Sequence, residues 1–460
     1  MENGKSEECN VEIISTNIKV NGESDKVFKA TELNAAKICC ERKETAKLNG
    51  LRSSKYRYVI LISSTLIQGL SACLFSCYGI LLMAIVEATG QSNALVSWFG
   101  GLWSLLLGFS SLFIGPLAVY YGSRKVVMFG SLVSAAGFVM SAFAPNMLIV
   151  VIGMGAFQGI GTSCYQIAPF LITSKWFVER RGGALSFLSF GVGIGMLLWS
   201  PLIALLIEAY TWRGALLLMG AIYLNGLVLG LLLIEPTNDK ETAPLSLIKA
   251  IGRNLDKKLV RTKNFFIYLS GTSLLYFGHM MVLAYLPRKI VEIGRSRVEG
   301  SLMVTVTSAV SCLIRLVIGA IAHKKYFKQG IIYSLSSIMA GIGSFLTLSS
   351  DSLGFYYAYS AIFGLTSGCY VALTVPTAVE VFEVKYLANI TAWSLLLAGV
   401  FMMGSTTIGG WLYDLTGNAT YNFLLGGVAM FIAGLFIVLL MSNLKKKKKE
   451  RRASITLTTK

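Results

Sequence analysis

An arginine inside an apolar run is the first residue of this sequence that asks for a chemical role. Residues 301–322, SLMVTVTSAVSCLIRLVIGAIA, are long enough to cross a bilayer as a helix, and Arg315 lies more than a turn inside either end. A guanidinium there costs about 2.5–3.5 kcal/mol even on the gentlest insertion scale, so it must face protein, water or an anion. The group keeps its charge, and no Asp or Glu is visible within any apolar run. A ligand carboxylate, gripped by two parallel hydrogen bonds, is the natural transient partner. Pairing with backbone carbonyls or a helix end is the structural alternative. No other Lys or Arg falls inside an apolar run by this reading. His279, the only histidine within one, carries a ring that titrates near neutral pH. It reads either as a proton site or as a neutral, hydrogen-bonded bundle residue.

The elements that must position these residues are membrane helices. The chain has 460 residues, 54% hydrophobic and 14% charged, with a mean hydropathy of +0.65, too apolar for a soluble domain. Hydropathy divides it into twelve spans, at about 58–85, 97–119, 126–143, 147–173, 183–207, 214–234, 265–287, 301–322, 329–348, 353–379, 388–413 and 421–441. The fold class is therefore an all-α membrane protein of twelve transmembrane helices. Its expected parts are a disordered cytoplasmic tail (1–55), a six-helix bundle (56–234), a cytoplasmic linker (235–264), a second six-helix bundle (265–442) and a basic cytoplasmic tail (443–460). With both tails placed inside, 35 of the 41 Lys and Arg fall on the cytoplasmic side, which satisfies the positive-inside rule. The net charge of +18 is thus a topology signal and points to anionic inner-leaflet lipid, not to nucleic acid.

Several other chemistries find no support. The eight cysteines form no C-x-x-C pair and imply neither a disulfide framework nor a metal site. No span holds paired carboxylates, H-E-x-x-H or a Ser-His-Asp set, and no filter-like loop is present. No cofactor is implied. Glycines four apart, Gly155 with Gly159, Gly191 with Gly195 and Gly364 with Gly368, read as helix-contact positions.

The segment 175–195, KWFVERRGGALSFLSFGVGIG, resembles the fifth-span signature of the monocarboxylate transporter family, through Trp176, Phe177, Arg180, Arg181, Ala184 and Gly191. Glu179, Gly183, Ser186, Leu188 and Phe190 depart from it. Gly122-Ser123-Arg124, Trp212-Arg213-Gly214 and the run from Gly410 to Gly417, GWLYDLTG, support the same resemblance, which covers residues 56–441. The family's acidic-Gly-Gly-aromatic signature before the first span is replaced by Ser53-Ser54-Lys55-Tyr56. The superfamily's acidic residue after the second span is replaced by Val119-Tyr120.

This resemblance implies the major facilitator superfamily fold, two six-helix bundles about an alternately accessible cavity. It implies that Arg315 corresponds to the eighth-span arginine that holds the substrate carboxylate. In the family's proton-coupled lactate carriers an aspartate stands four residues before that arginine, and a lysine stands in the first span. Here Ser311 and Ser76 occupy those positions. Tyr165, Tyr276 and Tyr370 lie in the fourth, seventh and tenth spans, which line the superfamily's cavity, and each is read as a contact or as packing. The implied activity is secondary transport of organic monocarboxylates or related carboxylate-bearing solutes across the plasma membrane, without proton coupling. A carrier of a neutral or zwitterionic solute, amino-acid-like or carnitine-like, and a non-transporting ligand sensor are the alternatives. Single-span ancillary glycoproteins serve parts of the family and are a candidate partner. The basic cluster 445–449 reads as a solvated stop-transfer cluster or, more sharply, as an inner-leaflet contact, with Arg451-Arg452-Ala453-Ser454 a kinase motif beside it. Asn418-Ala419-Thr420 is a sequon.

Overall fold

Length alone dictates one feature of the computed structural model, which describes residues 56–177, 181–235, 262–321, 328–382 and 387–458. Eleven helices among these residues are long and apolar enough to cross a membrane, and one of them, Gly183–Leu231, has 49 residues. At 1.5 Å per residue it would measure about 74 Å, more than twice a hydrocarbon layer. It cannot be one span. The chain breaks it at Thr211, whose φ of 62° and ψ of 171° leave the helical region, and turns back there. The fifth and sixth spans are thus separate, and the described residues hold twelve.

The spans repeat their contacts. The second packs on the fourth as the eighth packs on the tenth; the third packs on the sixth as the ninth packs on the twelfth; the first packs on the fifth as the seventh packs on the eleventh. Two parallel six-helix repeats follow. They meet through the second span against the eleventh and the fifth against the eighth. The paired glycines sit at such contacts: a Cβ on Gly159 would stand 2.8 Å from the Trp103 carbonyl oxygen, and one on Gly195 would stand 2.3 Å from that of Gly69.

Three departures from the sequence reading have local causes. The seventh span runs as helix over Lys263–Glu292, so Arg288 and Lys289, expected in a loop after Pro287, ride on its last turns. The fourth span contains a π-helical stretch, Val151–Phe157, where Gly153 and Gly155 let the chain approach Gly137 on the third span and Phe99 on the second. The last helix continues as far as Thr458, through the basic cluster expected to lie in a tail. Cys9, Cys39, Cys40, the expected N-terminal tail and residues 236–261 of the linker lie outside the described residues.

Candidate functional site

Arg315 sits on the eighth span, Arg297–Ile321. Leu302, Leu313, Leu316 and Val317 form the exposed face of that helix, which is where lipid belongs. The tenth span packs on a second face: Gly364 lies against the Thr307 carbonyl and Gly368 against that of Ser311. The fifth span packs on a third, with Gly193 against Cys312 and the Ser200 hydroxyl donating to the Ser301 carbonyl at 3.0 Å. At 100° per residue Arg315 and Ser311 point between these two packed faces, toward the interior.

Arg315 is half-buried, its Nε buried and without a hydrogen-bond partner. Among the described residues no carboxylate comes within ion-pair distance of it. Lys289 makes the contrast. That ammonium is also buried, but it lies 3.1 Å from the Asp351 carboxylate and 4.0 Å from that of Glu292. Among the described residues Lys289 is paired and Arg315 is not.

Tyr276, His279, Tyr370 and Cys312 all lie within the electrostatic field of the guanidinium. His279 Nδ1 and the Tyr370 hydroxyl are 2.6 Å apart, and the imidazole stacks on Phe363 at 5.6 Å. Five of the seven candidate residues, Arg315, Ser311, Tyr276, His279 and Tyr370, therefore gather in the second repeat. The other two have partners elsewhere. Ser76 donates to the Cys73 carbonyl at 3.2 Å on a first span that is interrupted between Ser71 and Cys73. The backbone carbonyls freed just before that break are taken by Trp199 Nε1, onto Gly69, and by the Tyr223 hydroxyl, onto Leu70. Tyr165 is fully buried, and its hydroxyl donates to the Tyr223 carbonyl at 3.3 Å within the first repeat.

Sequence reading passed over the end of the bundle where the first and second, seventh and eighth, and eleventh and twelfth spans are joined. There the two repeats are tied together. The Asp414 carboxylate accepts from the backbone amides of Asn93 and Ala94, at 3.0 and 2.7 Å, and from Asn93 Nδ2 at 2.7 Å. It thereby caps the N-terminus of the second span, where the helix dipole favours an anion. Arg288 donates to Asn93 Oδ1 at 3.2 Å and lies over the Tyr413 ring, while Arg297 pairs with Glu87. These contacts close the two repeats on each other at this end. Asp414→Ala should release them: spin labels at Gln91 and Arg295, both exposed, should show a longer distance population that is minor in the parent protein. Distances unaltered by the substitution would take Asp414 out of the closure. Asn418 of the sequon is half-buried here, its Oδ1 accepting from the Thr420 amide at 2.9 Å.

Comparison with known proteins agrees with this architecture. Residues 64–382 match the family model described as Major Facilitator Superfamily. Human monocarboxylate transporter 11 is 28% identical over 83% of this chain and 82% of its own length. Monocarboxylate transporter 12 of Xenopus laevis is 25% identical over 85% and 90%, and human monocarboxylate transporter 6 is 22% identical over 83% and 79%. The crystal structure of a D-xylose–proton symporter superposes with a TM-score of 0.68 at 15% identity, covering 83% of this chain and 97% of that one, and shares the fold. The chain belongs to the major facilitator superfamily, and within it to the monocarboxylate transporter family.

Proposed function

We propose that this protein carries organic monocarboxylates, or related carboxylate-bearing solutes larger than lactate, across the plasma membrane by alternating access and without proton coupling. One observation carries the reading: Arg315, half-buried in the interior, has no carboxylate partner among the described residues, whereas the buried Lys289 has one. A solute carboxylate completes it. With both termini in the cytoplasm, as the positive-inside count favours, the end tied by Asp414 and Arg297 faces outward. Tyr276, His279 and Tyr370 line the seventh and tenth spans around the bound carboxylate, while Ser311 and Ser76 leave the site without the fixed charges of the lactate carriers.

The test is uptake into liposomes holding the purified protein, from a panel of carboxylates, amino acids and carnitine-like zwitterions. Saturable uptake of carboxylates, inhibited by other carboxylates, is expected. Uptake confined to zwitterions would move the protein to the alternative substrate class, and saturable binding with no flux would make it a sensor. Orientation has its own check. Tags at both termini should be reached by antibody only after permeabilisation, because the positive-inside count places both in the cytoplasm; access in intact cells would reverse the topology. The basic residues 445–449 then face anionic inner-leaflet lipid, and phosphorylation of Ser454, whose side chain lies outside the described residues, would weaken that contact.

A further inference from the structure

Hydroxyls in membrane helices ordinarily donate back to a carbonyl three or four residues earlier. Ser301 does so on the eighth span, as do Ser334, Ser344 and Ser367 on the ninth and tenth. Ser308 and Ser311 do not. Both are more than nine-tenths buried, and neither hydroxyl has a hydrogen-bond partner. A buried hydroxyl left unmatched is unfavourable; Ser64, Ser134, Ser273, Ser360 and others share that condition, and Ser308 and Ser311 are set apart by preceding the unmatched Nε of Arg315 on the same helix. The spacing adds direction. Residues 308, 311 and 315 are separated by three and then four positions, so they fall on one face of the helix, the face turned away from the exposed Leu313, Leu316 and Val317. With a rise of 1.5 Å per residue, Ser311 stands about 6 Å and Ser308 about 10 Å along the axis from Arg315.

We propose that Ser308 and Ser311 are specificity residues that receive polar groups of an elongated solute whose carboxylate rests on Arg315. The inference depends on the carboxylate reading above and sharpens it. The preferred substrates are carboxylates bearing a hydroxyl, carbonyl or amide group at a distance from the carboxylate, and unsubstituted aliphatic acids are the poorer ligands. An apolar chain would cover the two serine hydroxyls and leave them unmatched, whereas a polar substituent at that distance satisfies them. A site built to hydrogen-bond a solute group discriminates strongly against the analogue that lacks it.

The experiment uses the full chain in liposomes and a chain-length series of straight-chain carboxylates, each paired with its ω-hydroxyl counterpart. In the parent protein the ω-hydroxyl member should be taken up about tenfold more efficiently at one or two chain lengths, the increment of a well-placed hydrogen bond. Ser308→Ala should erase that advantage at the longer of these lengths and Ser311→Ala at the shorter. Because each variant removes an unmatched hydroxyl, thermal stability in detergent should not fall. Equal uptake of both members of every pair by the parent protein, or an advantage that survives both substitutions, would overturn the proposal while leaving carboxylate transport standing. Failure of the parent protein to take up either series, together with no difference between it and Arg315→Lys, would remove the carboxylate reading and this proposal with it.

Discussion

Arg315→Lys loses at least about tenfold in uptake efficiency for the carboxylate solute, and Arg315→Ala at least about a hundredfold, while both variants reach the membrane in normal amount. The magnitudes follow from what each change removes. Truncating one partner of a buried, hydrogen-bonded charge pair costs roughly 2–5 kcal/mol, a factor of about thirty to several thousand. Lysine restores the charge but not the planar fork, so the carboxylate loses its two parallel bonds and the orientation they impose. Normal membrane expression is expected because the guanidinium makes no ion pair among the described residues that the bundle would miss. Lys289 is the natural control. Its ties to Asp351 and Glu292 are structural, so Lys289→Ala should lower stability and leave substrate selectivity alone. Wild-type uptake by both Arg315 variants would reduce Arg315 to a structural residue.

Much of this architecture was legible because bilayer thickness sets the length of an apolar run and loop charge sets its direction. The twelve spans and the isolation of Arg315 follow from those two rules. The break at Thr211 was legible too, since Trp212-Arg213-Gly214 interrupts the hydropathy. What stayed hidden depends on contacts between distant segments. Asp414 lay in a recognised sequence run, but nothing local indicates that its carboxylate meets Asn93 and Ala94, more than three hundred residues away. The π-helical stretch at 151–157 arises from close approach to Gly137 and Phe99, and periodicity along one segment carries no trace of it. Ser308 was within reach: its three- and four-residue spacing to Ser311 and Arg315 is written in the sequence. Serine is ordinary in membrane helices, however, and only the fold shows that this one is buried and unmatched on the same helix as Arg315. Tyr165 shows the reverse. Its span suggested the cavity, and the fold gives its hydroxyl a backbone partner inside the first repeat.

An imposed pH gradient should drive no uphill accumulation of the solute. Coupling to protons needs a group that titrates in the path and whose protonation depends on occupancy, in most carriers a carboxylate near the substrate. Ser311 stands where the proton-coupled relatives of the resemblance hold an aspartate, and a serine does not titrate at physiological pH. Of the described acids near the span ends, Glu87 pairs with Arg297, Glu292 with Lys289 and the Ala419 amide, Asp414 caps the second span, and Glu208 is exposed just past the end of the fifth. Glu380, one residue from the end of its helix, accepts from the Gly330 amide at 3.1 Å, at the start of the ninth span. Glu383 lies outside the described residues. Among the described residues His279 is the remaining intramembrane candidate, and it is held against the Tyr370 hydroxyl and the Phe363 ring beside a permanent positive charge. A second positive charge on the imidazole would be repelled by Arg315 in the empty site. Liposomes loaded with a pH indicator and given labelled solute decide the question: equilibration to equal concentrations with no change in internal pH is expected, in either direction of the gradient. Accumulation above the external concentration with internal acidification would refute it, and loss of that accumulation in His279→Gln would then identify the imidazole as the coupling group.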